Sequence, residues 1–288
     1  MHLSTHNWMR PEPLETTLAR IKRLGYDSIE IADPCRYELE VTERALRRYG
    51  IRCWGGVTLM LGEHNLAARD GEQRARSVQY IKDIVQRVSE LDGQIVTIVP
   101  TTVRKLVPES TPEKEWAWVR EGLQSVNDLA KREGVRLALE PLNRFETYFI
   151  NRVDQAIAMA EAVGENCGVC ADTFHLNIEE SDLLDAIRLA RGRLYDFHVA
   201  DNNRLAPGQG ALDWPAIVQT LKSVGYDGAL AAEYLVPMDR TPRNRYSHEL
   251  QENGCDVMSD EFYSALAAKT AETLLPLICD PAQSRGVP

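Results

Sequence analysis

The sequence predicts an α/β fold, with eight parallel strands alternating with helices and closing into a (β/α)8 or TIM barrel. Three observations carry this reading. Apolar runs of strand length alternate with segments of helical period almost from one terminus to the other, the rhythm of parallel strands joined by crossover helices. A glycine repeatedly stands just ahead of a strand, with Gly25-Tyr26-Asp27 and Gly225-Tyr226-Asp227 as near repeats and Gly50 and Gly134 in similar positions. Finally, 288 residues without a linker, low-complexity tract or shift in composition suit one large barrel domain, residues 1–288, better than two small ones.

Taken in order, the expected strands are His2–His6, Ser28–Ala32, Arg52–Met60, Ile95–Pro100, Val135–Glu140, Gly168–Asp172, Leu194–Val199 and Ala229–Tyr234. Between the first two, Leu14, Leu18, Ile21 and Leu24 recur at helical spacing. Pro13 is tolerated in the first turn, and Gly25 supplies the stop. After the fifth strand, Asn151 is the expected cap of a helix that runs through Val153, Ile157 and Val163 to Gly164. Each glycine ahead of a strand is expected to end a helix in the left-handed region. The exception to regularity is the polar stretch at about 236–260, with Arg240, Arg243, Arg245 and His248. A loop that long in a compact barrel reads as a lid or a contact surface.

Composition narrows the function. Hydrophobic residues make up 44% and charged residues 26%, ordinary for a soluble enzyme and unlike a disordered chain. The net charge of −10 repels phosphodiester backbones and argues against a nucleic-acid partner. No apolar run approaches 18 residues, and the start lacks a signal-peptide pattern, so the expectation is a cytoplasmic protein with no membrane partner. Six scattered cysteines show no disulfide framework. Cys167 and Cys170 lie inside an apolar run and read as core thiols rather than a redox pair.

A barrel of this kind builds its active site at the C-terminal ends of its strands. Four consecutive strands carry titratable side chains there: Glu140, Asp172, His198 and Glu233, separated by 32, 26 and 35 residues. Each interval is about one strand-helix unit, which sets all four at one height around half of the mouth. Three carboxylates in a cleft of low dielectric repel one another unless a cation neutralises them. A ligand set rich in oxygen with one imidazole favours Mn2+, Mg2+ or Co2+ over structural zinc. Trp8, in the first strand-helix loop, and Trp54, on the third strand, are candidates for an apolar wall of the mouth. Trp116 and Trp118 fall in a helix and read as packing residues. His6 and His64 are set aside, because a lone histidine more often serves as a structural hydrogen-bonding group.

The segments E140-P-L-N-R-F-E146, D172-T-F-H175-L-N-I-E-E-S-D182, F197-H198-V-A-D-N-N-R204 and A232-E233 resemble the sugar isomerase and epimerase family with a xylose-isomerase-like barrel. Within it they are most similar to the D-tagatose and D-psicose 3-epimerase group. The likeness covers the strand pattern over most of the chain and is specific between residues 137 and 233. It implies a metal site of Glu140, Asp172, His198 and Glu233 that holds Mn2+ or Co2+, with Glu140 and Glu233 doubling as the acid/base pair. It also implies that Glu146, His175 and Arg204 bind substrate. The implied chemistry moves a proton beside a ketone. This needs a base on one face, an acid on the other and a cation for the enediolate oxygen.

The N-terminal T-H-N-W-M-R-P-E-P and the segment after Glu233 depart from ordinary ketose epimerases. An alternative is therefore the related branch acting on 3-oxo-glycosides, the larger subunit of the C-glycoside deglycosidases, where the same proton abstraction leads to β-elimination. That branch implies a small partner subunit, for which the stretch from Asp239 to His248 is the expected docking surface. Homo-oligomers are an expectation taken from relatives. A barrel endonuclease with three zinc ions is disfavoured, because it needs more histidines than the 6 present and a less negative chain. A binding barrel without catalysis is disfavoured by the retention of both glutamates with the full ligand set.

Overall fold

The computed structural model describes residues 1–235 and 260–279. Eight parallel strands form one sheet in the order β1-β8-β7-β6-β5-β4-β3-β2. They are β1 His2–Thr5, β2 Ser28–Ala32, β3 Arg52–Val57, β4 Ile95–Ile98, β5 Arg136–Leu139, β6 Cys167–Asp172, β7 Leu194–Val199 and β8 Ala229–Ala232. Between β1 and β2, an isolated parallel bridge from His6 to Glu30 closes the barrel. The helices are α1 Leu14–Arg23, α2 Leu39–Tyr49, α3 Gly71–Glu90, α4 Pro112–Glu133, α5 Val153–Val163, α6 Thr173–Glu179, α7 Leu183–Leu189, α8 Trp214–Ser223 and α9 Asp260–Cys279. Among the described residues, none is long and apolar enough to cross a membrane. The fold is therefore the (β/α)8 barrel that the sequence predicts.

The strands obey the period of two that a barrel wall requires. On β5, Leu137 and Leu139 face the helices with Ile81, Val85 and Val126, whereas Ala138 sits in the interior cluster with Trp54, Ile95, Cys170 and Ala229. Continuing the alternation, Glu140 turns inward one residue past the strand. The same alternation on β7 sends Phe197 and Val199 outward and Asp196 and His198 inward, and on β6 it aligns Cys170 with Asp172. Small interior residues at Ala138 and Ala229 leave space for the polar groups above them.

Strand ends differ from expectation where the chain leaves the ladder. The expected third strand runs to Met60, but β3 stops at Val57, because the Leu59 amide donates to the Tyr80 hydroxyl at 3.0 Å instead of to a strand. The fourth, fifth and eighth strands are each shorter at the C-terminal end by one or two residues, although the amides of Glu140 and Glu233 still donate to Ile98 and Val199 carbonyls at 3.0 and 3.1 Å. Asn151 is not the cap of α5. Arg152 holds that position, while the Asn151 side chain donates to the carbonyls of Leu142 and Thr147 and thereby pins the β5–α5 loop. Gly25, Gly50, Gly134 and Gly225 all adopt positive φ, between 59° and 79°, as their place before a strand predicts. Cys167 and Cys170 are buried free thiols. The expected lid or contact segment, with its arginines and His248, lies outside the described residues except for Asp260.

Candidate active site

The C-terminal mouth opens over a cavity of about 390 Å³, lined on one side by Glu140, Glu146, His175, Arg204 and Glu233. Trp8, Leu59, Met60, Val103 and Leu235 contribute an apolar side. The mouth thus gathers Trp8 and the three substrate-binding residues expected from sequence. Trp54 is not among them: it points into the opposite end of the barrel, where its ring meets His2 edge-on at 5.0 Å and its Nε1 donates to Asp196.

At the floor of the cavity, Glu140, Asp172, His198 and Glu233 are all buried, with one donor atom from each lying within 4.8 Å of the others. Register explains the meeting. Asp172 and His198 are paired across β6 and β7, and the two glutamates follow the last residues of β5 and β8. His198 Nδ1 stands 3.1 Å from Glu140 Oε1 and 3.2 Å from Glu233 Oε2. Asp172 has a second task, as its Oδ1 caps α6 by accepting from the Phe174 amide at 2.7 Å.

Arg204 bridges two of the acids, with Nη1 2.5 Å from Asp172 Oδ2 and Nη2 3.0 Å from Glu233 Oε2. Its guanidinium lies over the Phe174 ring, its Nε has no partner, and its backbone holds a φ of 63° that a non-glycine residue adopts at a cost. It is only 6% exposed, so it is no surface charge. His175 Nδ1 lies within hydrogen-bond reach of both the backbone amide and the side-chain amide of Asn143, at 3.2 and 2.8 Å. Accepting there places the ring proton on Nε2, 3.9 Å from Asp172. Glu146 Oε1 accepts from the same Asn143 side chain at 2.9 Å.

Electrostatics separate the two glutamates. Burial pushes the Glu140 carboxyl above the usual range, and the facing His198 only partly offsets it. Burial acts on Glu233 as well, but Arg204 and His198 overcome it and hold that carboxyl well below its usual range. Burial also raises Asp172. His198, although desolvated, is driven well above its usual value by the surrounding Cys170, Glu140 and Glu30. Three carboxyl groups share one guanidinium and one imidazole in a buried space, and the donor set of oxygens with one imidazole fits a divalent cation.

Two further acids lie below this floor and were not singled out from sequence. Glu30 and Asp196 approach the far nitrogen of His198 at 3.2 and 3.5 Å. Each carried a signal: a charge at the centre of the apolar run S-I-E-I-A, and an aspartate two residues before His198 on the same strand face. His6, set aside as a lone histidine, is fully buried with its ring edge-to-face against His198 at 4.4 Å.

A TIM barrel with buried acids and an imidazole converging under its C-terminal mouth has the architecture of an enzyme of small-molecule chemistry. The match of residues 18–252 to the xylose isomerase-like TIM barrel model makes it more specific. The chain belongs to that family. It is 31% identical over 235 residues to the D-psicose 3-epimerase of Ruminiclostridium cellulolyticum, covering 78% of this chain and 79% of that protein. It is 28% identical over 234 residues to the 3-dehydro-D-guloside 4-epimerase of Escherichia coli, covering 77% and 87% respectively. The solved D-psicose 3-epimerase of Clostridium cellulolyticum H10 with D-tagatose superposes with a TM-score of 0.81 at 25% identity, covering 94% of this chain and 97% of that one. These relatives set the chain among sugar epimerases and isomerases.

Proposed function

We propose that the protein is a divalent-metal-dependent epimerase of ketoses or keto-sugars, acting by proton transfer at the carbon beside the carbonyl. One observation carries the reading: two buried glutamates flank His198 at the floor of the cavity, with Asp172 completing a four-donor group. Glu140, Asp172, His198 and Glu233 are the residues that hold Mn2+, or Mg2+ or Co2+ in its place. When bound, such an ion stabilises negative charge on a carbonyl oxygen as it becomes an enolate.

The chain's own residues supply the rest. Glu233 and Glu140, on either side of His198, are suited to remove the proton from one face and to return one on the other. Their roles exchange in the reverse direction. Glu146 Oε2 accepts from a sugar hydroxyl, the His175 Nε2–H and Arg204 donate, and Trp8 covers an apolar part of the sugar. The test is exchange of solvent deuterium into a ketose such as D-tagatose. Glu140→Gln and Glu233→Gln should each slow exchange by roughly 10²- to 10⁴-fold with an unchanged circular dichroism spectrum; wild-type rates in either variant would remove the acid/base assignment.

A second reading has the apolar side of the cavity in its favour, since Leu59, Met60, Leu61 and Val103 suit an aglycone. Here the substrate is a 3-oxo-glycoside, whose C2 proton passes to the base while the bond from C1 to the aglycone breaks. Incubation with Mn2+ and either a free ketohexose or a 3-oxo-glycoside separates the readings by the product, an epimer or a released aglycone.

A further inference from the structure

We infer that Glu30 and Asp196 are positioning residues, a buried acid pair that takes the Nε2–H of His198 and so presents its Nδ1 to Glu140, Asp172 and Glu233. The consequence for metal affinity rests on the function proposed above, whereas the location of the proton does not. A neutral imidazole has one N–H and one lone pair, and it offers the lone pair at Nδ1 only when the proton is on Nε2. Acceptors at Nε2 favour that tautomer and fix the ring plane. Two are present: Glu30 Oε2 at 3.2 Å and Asp196 Oδ2 at 3.5 Å.

Glu30 has no other task in the packing of the barrel. Glu30 is fully buried in the middle of β2, its Oε1 has no partner, and the rings that approach it among the described residues are His198 and, at 3.9 Å, His6. An apolar residue there would fold at least as well. Asp196 is held rigidly by three elements. Its Oδ1 accepts from Trp54 Nε1 at 3.1 Å and from the Phe197 amide at 3.0 Å, and its Oδ2 accepts from Thr97 Oγ1 at 2.9 Å. The His6 ring closes another side of the imidazole.

This bracing gives the test its direction. In Asp196→Asn, the two N–H donors at Oδ1 keep the amide oxygen there. The amide NH2 then faces His198 Nε2 and opposes a proton on it. Asp196→Ala removes the carboxylate without supplying that donor. Mn2+ affinity, read from the electron paramagnetic resonance of the free aquo ion, should fall about 10- to 100-fold in Asp196→Asn, and less in Asp196→Ala. A merely structural role for Asp196 gives the opposite order.

In wild-type protein labelled with 15N-histidine, either loaded with diamagnetic Zn2+ or chelated at a pH where the imidazole is neutral, the His198 Nε2 should carry a downfield, slowly exchanging proton and its Nδ1 none. That signal is assigned by its loss in His198→Asn. A bare Nε2 in the wild-type spectrum, or an Asp196→Asn protein that binds Mn2+ within threefold of wild type, overturns the inference. Absence of Mn2+ binding by the wild type would instead count against the proposed function, with the Nε2 proton still deciding this one.

Discussion

One buried carboxylate and a group of three sit on the same rim of the barrel, and they are built in opposite ways. Asp201, three residues past His198, is fully buried and surrounded by neutral donors. It accepts from the amides of Asn202, Gly208 and Leu212 at 2.9, 2.9 and 3.1 Å and from Trp214 Nε1 at 3.0 Å. Its carboxyl is held below the usual range by those bonds in spite of desolvation, Trp214 contributing most. Glu140, Asp172 and Glu233 instead face one another, with one guanidinium and one imidazole between them. A carboxylate whose lone pairs are filled by N–H groups organises a loop. Carboxylates left facing each other are unstable alone and call for a cation. On the function proposed above, the contrast assigns Asp201 to the architecture and the other three to the chemistry.

The two groups should respond differently to mutation and to divalent cations. The largest effect is expected for Arg204→Met, which leaves Asp172 and Glu233 buried without their shared partner. Loss of about 3–5 kcal/mol is expected in chelated protein, and saturating Mn2+ should recover much of it. A denaturant titration with and without Mn2+ checks this, and a loss that ignores the ion would erase the distinction. Trp214→Phe removes one neutral donor from Asp201 and should cost about 1–3 kcal/mol, equally with and without Mn2+.

A smaller effect is expected from the opposite end of the barrel. Burial lowers the His2 pKa from 6.5 to about 4, with Arg52 adding to the shift. The unfolded chain takes up this proton near 6.5 and the native protein only near 4. The contribution of His2 is therefore complete above the higher value, and it is lost as the pH falls between the two. His2→Gln should flatten that part of the stability profile; an identical profile would show that His2 does not shape it.

Much of this was readable in the chain. The strand rhythm located all eight staves, and strand-end spacing selected Glu140, Asp172, His198 and Glu233, which the structure brings within 4.8 Å of one another. That convergence has a physical basis: in a parallel barrel, position along a strand sets height, and height sets which residues share the mouth. What failed to read out was the choice of neighbours across the barrel. Glu30 comes from β2 and His6 from the residue after β1, far from His198 in sequence, and only closure of the sheet brings them to its ring. Trp54 lies on an inward-facing position near the start of β3, so the same rule of height sends it to the opposite end from the mouth. Asn151 has the right side chain for a cap, yet the Leu142 and Thr147 carbonyls engage it first.

The central claim is that one divalent ion is held between these four strand ends. Calorimetric titration of Mn2+ into chelated protein tests it most directly, with Asp172→Asn and Asp201→Asn run beside the wild type. One site per chain in the wild type, much weakened by Asp172→Asn and nearly unchanged by Asp201→Asn, is the expected outcome. No measurable binding in the wild type, or equal binding in Asp172→Asn, would contradict the account.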